Sequence, residues 1–150
     1  MDSQNVLIPY IVSHVLTICL IFVCWKWAKI GKIIWAVIFI LAGIFNAYTV
    51  TSDPQAYLMY SQWVVGPYKA FINGVFSSNL SLFIYSIATG QILVGIFLFL
   101  KRKFFLLGIF GGIFFLIAIS PLGVGAAFPS TLLMAFSLIL LYIENKQARA

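Results

Sequence analysis

Eight side chains in this sequence have the chemistry to hold a ligand: His14, Asn46, Asp53, Tyr57, Tyr60, Trp63, Lys69 and Gln91. General acid–base work needs an imidazole or carboxylate within hydrogen-bond reach of the reacting proton. The chain has one histidine and three acids, Asp2, Asp53 and Glu144, on separate segments. An enzyme using His14, Asp53 or Gln91 is therefore the least favoured class, and no catalytic residue is assigned. No cluster has the ligand spacing of a zinc site. Cys19 and Cys24 are five residues apart in one apolar run and point to different sides of a helix, so they read as packing residues. No metal or cofactor is expected. The remaining chemistry is binding: aromatic rings beside amides, one carboxylate and one cation suit an apolar or amphipathic molecule such as a lipid or quinone.

Most of these groups fall in one stretch, 52–79, the only long segment that is not a bare apolar run. Asp53-Pro54 reads as a helix start, with Asp53 as cap and proline in the first turn. Tyr57, Tyr60, Val64, Tyr68, Phe71 and Val75 then recur at three or four, while Gln55, Gln62, Lys69 and Asn73 fall on another face. The pattern is that of an amphipathic helix lying in a membrane interface. Gly66-Pro67 must break it into two short helices.

The elements around this stretch must be hydrocarbon-soluble. Of 150 residues, 63% are hydrophobic and only 8% charged, with mean hydropathy +1.11. A water-facing surface needs about 25% charged residues, so the main solvent of this chain is lipid. The net charge of +6 sits between apolar runs, where it orients helices instead of forming a nucleic-acid patch. The predicted fold is an all-α transmembrane bundle forming one integral membrane domain. Its five spans cover about 6–25, 33–50, 80–100, 104–119 and 128–143, with 52–79 as the interfacial segment.

Each span carries a few polar or small residues. Tyr10, His14 and Thr17 share a face of the first, which should point into the bundle. The second has Trp35 at one end and Tyr48 at the other, with Ala42, Asn46 and Thr49 on one face and Gly43 as a point of close approach. In the third, Ile84, Ala88, Gln91 and Gly95 share a face, and Gln91 reads as a hydrogen-bonding link between helices. The fourth holds Gly108 and Gly112 at a GxxxG spacing, which permits close helix contact. Pro129 marks the start of the fifth.

With five spans, Lys26, Lys29, Lys32, Lys101, Arg102, Lys103, Lys146 and Arg149 lie on one side and Lys69 alone on the other. Eight to one is a clear positive-inside bias. It places the N-terminus outside, the C-terminus in the cytoplasm and 52–79 on the outer face. No cleavable secretory signal is read at the start, because the basic residues follow the first apolar run.

From Ile40 onward the motifs AGIFNAY, DPxxYLxYSQWVVGPYK, GQILVGIFLFL and SPLGVGAAFPSTLLMAFSLILL follow in order. Over about residues 33–143 the chain resembles the DoxX-like group of small four-helix membrane proteins, with an AG-x-x-N motif at Ala42–Asn46 and a P-Y-x motif at Pro67-Tyr68. The resemblance implies a four-helix core in a bacterial inner membrane. In some relatives it also implies association with quinone-linked or thiol redox systems. The chain departs from the group in a neutral Gln91, where relatives often carry an acid, and in the additional span 6–25.

Two functional classes follow. The first is a non-enzymatic accessory module that binds a membrane protein partner. The second is a carrier or sensor of a lipid or quinone-like molecule held beneath 52–79. A channel is disfavoured, because helices with so little polar lining offer no water path.

Overall fold

The computed structural model of the chain describes residues 3–62, 64 and 66–147. These residues are helical almost throughout and contain no strand. That is what lipid demands, since a helix satisfies its backbone N–H and C=O groups within one segment. The long helices are α1 (Ser3–Lys26), α2 (Ala28–Ser52), α4 (Leu80–Phe99), α5 (Lys103–Ile119) and α6 (Ser130–Gln147). Between α2 and α4 lie a 3-10 helix over Pro54–Gln62, the short α3 (Pro67–Phe71) and a π turn over Ile72–Phe76.

The five long helices close into a ring. α1 packs on α2 and α6, α2 on α4, α4 on α5 and α5 on α6, with a further contact between α2 and α6 across the middle. Among the described residues, four stretches are long and apolar enough to cross a membrane: Leu7–Lys26, Ala28–Ser52, Leu80–Phe99 and Lys103–Gly123. These four helices fit a small integral membrane protein. α6 has 18 residues and ends in the polar run Glu144–Gln147; it is not among the four.

The most extensive seam joins α2 and α4, and small residues create it. A Cβ on Gly43 would lie 2.6 Å from the carbonyl oxygen of Ala88, and one on Gly95 would lie 2.7 Å from that of Ala36. Backbones approach this closely only where no side chain intervenes. Ile84, Ala88, Gln91 and Gly95 are all buried, as their spacing predicts.

Two apolar cores fill the bundle. One gathers Leu20, Cys24, Trp35, Phe39, Leu98 and Phe105 with residues of α5 and α6. The other gathers Val50, Val64, Ile72, Phe76, Leu80 and Ile84 under the 52–79 segment.

One expectation needs correction. The apolar face of 52–79 does not run on to Phe71 and Val75; both are exposed, and Ile72 and Phe76 are buried instead. Gly66, at φ 62, redirects the chain, and the π turn then shifts the helical phase, so one continuous period cannot hold. Trp35, which the sequence marks only as one end of the second span, is a core residue. It is 1% exposed, with its indole N–H donating to Ser137 Oγ at 3.0 Å. Gly108 and Gly112 make the close helix contact that their spacing permits, and they make it inward: a Cβ on either would meet Leu98, or Leu138 and Phe39, inside the bundle.

Candidate functional site

Three of the eight candidates meet directly. Asn46 projects from α2 toward α4, where its Nδ2 donates to Gln91 Oε1 at 2.7 Å. The Tyr57 hydroxyl donates to Asn46 Oδ1 at 2.8 Å. One neutral chain of hydrogen bonds thus ties α2, α4 and the 3-10 helix together. Gln91 is 5% exposed, so the bond removes what would be a costly unpaired amide in hydrocarbon. Tyr60 stands beside Tyr57, ring centroids 6.5 Å apart. Burial pushes both phenols above the ordinary tyrosine value, and for Tyr57 the neighbouring Tyr60 adds to the rise while a hydrogen bond with Thr49 opposes it. Both therefore remain neutral donors across the physiological range.

Asp53 and Lys69 are not part of this chain; both are exposed. Asp53 joins α2 to the next helix through its backbone, its N–H bonding to Thr49 O and its carbonyl accepting from Ala56 N–H. Trp63 lies outside the described residues. The neighbouring Tyr68 holds the segment to α5, donating to Ala118 O at 3.0 Å. Thr51 and Tyr85 add a hydroxyl contact of 2.9 Å between α2 and α4.

His14 belongs to a second seam, between α1 and α6, and is bonded to no carboxylate among the described residues. Its Nδ1 lies 2.8 Å from Tyr10 O, a carbonyl that can only accept, so Nδ1 is the donor. That nitrogen's ring partner Nε2, like Thr131 Oγ1, is buried without a hydrogen-bond partner among the described residues. Around it the Tyr10 hydroxyl donates to Phe128 O at 2.8 Å, and Thr17 Oγ1 lies 2.7 Å from Ser130 Oγ. The shared face of Tyr10, His14 and Thr17 thus points into the bundle, as expected.

Sequence reasoning missed the α6 side of this seam. Ser130 and Ser137 are seven residues apart, two turns on one helical face, and that spacing was the available signal. It also missed the basic end as a place. Lys32 Nζ donates to Phe99 O and Leu100 O, at 3.3 and 3.0 Å, and so caps the carbonyl end of α4. Beside it, a recess of about 330 Å³ opens between the start of α5 and the end of α6.

In comparison with known proteins, no family model, no curated protein and no solved structure matches the chain.

Proposed function

We propose that this protein is a non-enzymatic accessory module of the membrane, which binds a transmembrane helix of another membrane protein along the outer face of α4. The observation that carries the proposal is Gly90. The other described glycines within the four apolar helices each sit against a neighbouring side chain or backbone, whereas a Cβ on Gly90 would meet nothing within 4 Å. Ser86, one turn earlier, and Thr89 are also exposed. The Ser86 hydroxyl bonds back to Leu82 O at 2.7 Å, so it presents little but its small size. A small-xxx-small face turned toward lipid is the surface on which helix backbones approach closely.

The topology within this proposal has five crossings, with α6 as a short fifth one. Its apolar stretch 130–143 would reach about 21 Å at 1.5 Å per residue. That is less than a bilayer core, but α6 packs between α1 and α5. The charge asymmetry supports an outer N-terminus and a cytoplasmic C-terminus in a bacterial inner membrane. The motifs over residues 33–143 support assignment to the DoxX-like group. A lipid or quinone beneath 52–79 has less support, because Val64, Ile72 and Phe76 occupy that place.

Affinity purification of the tagged full chain from its native membrane, beside a Gly90→Leu variant, tests the proposal. A co-purifying membrane protein lost on substitution is expected. Isolation of both forms alone, or of both with the same companion, overturns it.

A further inference from the structure

We infer that the recess between α5 and α6 is a site for an anionic phospholipid, with its phosphate among Arg102, Lys103 and Lys146. This goes beyond helix docking at α4 and does not depend on it. The recess is lined by those three cations with Tyr142 and Asn145, and among the described residues no acidic side chain lines it. Three like charges around one concavity repel one another and attract an anion.

The backbone adds a second argument. Arg102 sits at φ 55 and ψ −124, a region that side chains other than glycine rarely adopt. It also takes the N-cap position of α5 without making a side-chain cap, leaving the first N–H groups of a 17-residue helix facing the same end. A strained arginine at an uncapped helix start is unfavourable for the helix alone; it fits a bound phosphate.

The apolar lining identifies the rest of the ligand. Phe105 and Leu106 line the recess, and Tyr142 at its wall packs against Phe110, with ring centroids 6.4 Å apart and the rings tilted by 46°. Phe110 is 61% exposed and continues the wall toward the membrane. A free phosphate has no use for such a surface, whereas acyl chains do. Lys32 is not part of the site, since it is engaged at the end of α4.

Native mass spectrometry of the detergent-purified full chain tests this, with phosphatidylglycerol and phosphatidylcholine as probes. One phosphatidylglycerol should bind at least about tenfold tighter than phosphatidylcholine. The preference should vanish in R102Q/K103Q/K146Q and persist in a K26Q/K29Q/K101Q control of equal charge loss. Equal loss in both triple variants would mean diffuse surface attraction and overturn the site, as would no preference in the wild type. Competition by millimolar inorganic phosphate would overturn the lipid as ligand. Should the triple variant fold poorly, Arg102→Gly decides. It relieves the backbone, so the melting temperature should rise while the lipid preference weakens; an unchanged preference would overturn the assignment.

Discussion

The two faces of α4 are made of similar residues and live in opposite surroundings. The inner face carries Ala88, Gln91 and Gly95, buried against α2; the outer face carries Ser86, Thr89 and Gly90, exposed. Small and polar residues in a membrane helix are therefore not one signal. Inside, Gly95 lets the backbone of α2 approach and Gln91 ties it down. Outside, the same economy of side chain leaves a surface that the chain's own fold does not use.

Substituting leucine at paired positions sharpens the contrast, and the glycines give the largest difference. Gly95→Leu would push a side chain into Ile40 and the Ala36 carbonyl, with a Cβ 2.6 and 2.7 Å away. Overpacking against backbone should cost about 3 kcal/mol or more. Gly90→Leu should leave the melting temperature in detergent within a degree or two, roughly the effect of an uncoupled surface change. Equal destabilisation by both would erase the distinction between the faces.

The amide comes next. Gln91→Leu strands Asn46 Nδ2 and should cost about 1–3 kcal/mol, as should Asn46→Leu, which strands Gln91 Oε1. The double leucine variant should recover part of this, with a coupling of roughly 0.6–2 kcal/mol in reversible unfolding. Strict additivity would mean that the 2.7 Å bond is not a fastener. Thr89→Leu, on the outer face, should be neutral.

At the end of the same hydrogen-bond chain, Tyr57→Phe should cost about 0.5–1.5 kcal/mol. Its pH dependence has a fixed sign. The folded state holds the phenols of Tyr57 and Tyr60 protonated beyond the ordinary value of 10.0, so their contribution is complete below that pH and falls as pH rises above it. Alkaline unfolding should be shallower in the Y57F/Y60F protein; an identical profile would contradict their burial. The smallest effect is expected at the α1–α6 seam. His14→Leu removes a buried nitrogen that has no partner among the described residues and should be neutral or stabilising by up to about 1 kcal/mol.

Much of α4 was legible in the sequence because one undisturbed helical period runs through it. The spacing of Ile84, Ala88, Gln91 and Gly95 named the buried face, and Asn46 was a candidate with Gln91. The period failed where the helix type changed: beyond Gly66 the π turn moved burial from Phe71 and Val75 to Ile72 and Phe76. The pairing of Asn46 with Gln91 and with Tyr57 was not legible, since it depends on which helices become neighbours. The recess at Arg102 was hidden for a related reason: basic residues at helix ends all look like topology signals until two ends converge. Trp35 illustrates the same limit, as its burial depends on Ser137 arriving from α6.

Photo-crosslinking in native membranes tests the central claim most directly. A benzophenone amino acid at position 86 or 89, on the outer face of α4, is compared with one at position 114 on α5, where Phe114 is 76% exposed. The account predicts a discrete adduct with another membrane protein from 86 and 89, absent from 114 and lost with Gly90→Leu. Lipid adducts alone at all three positions, or an adduct only with a second copy of this chain, would contradict it.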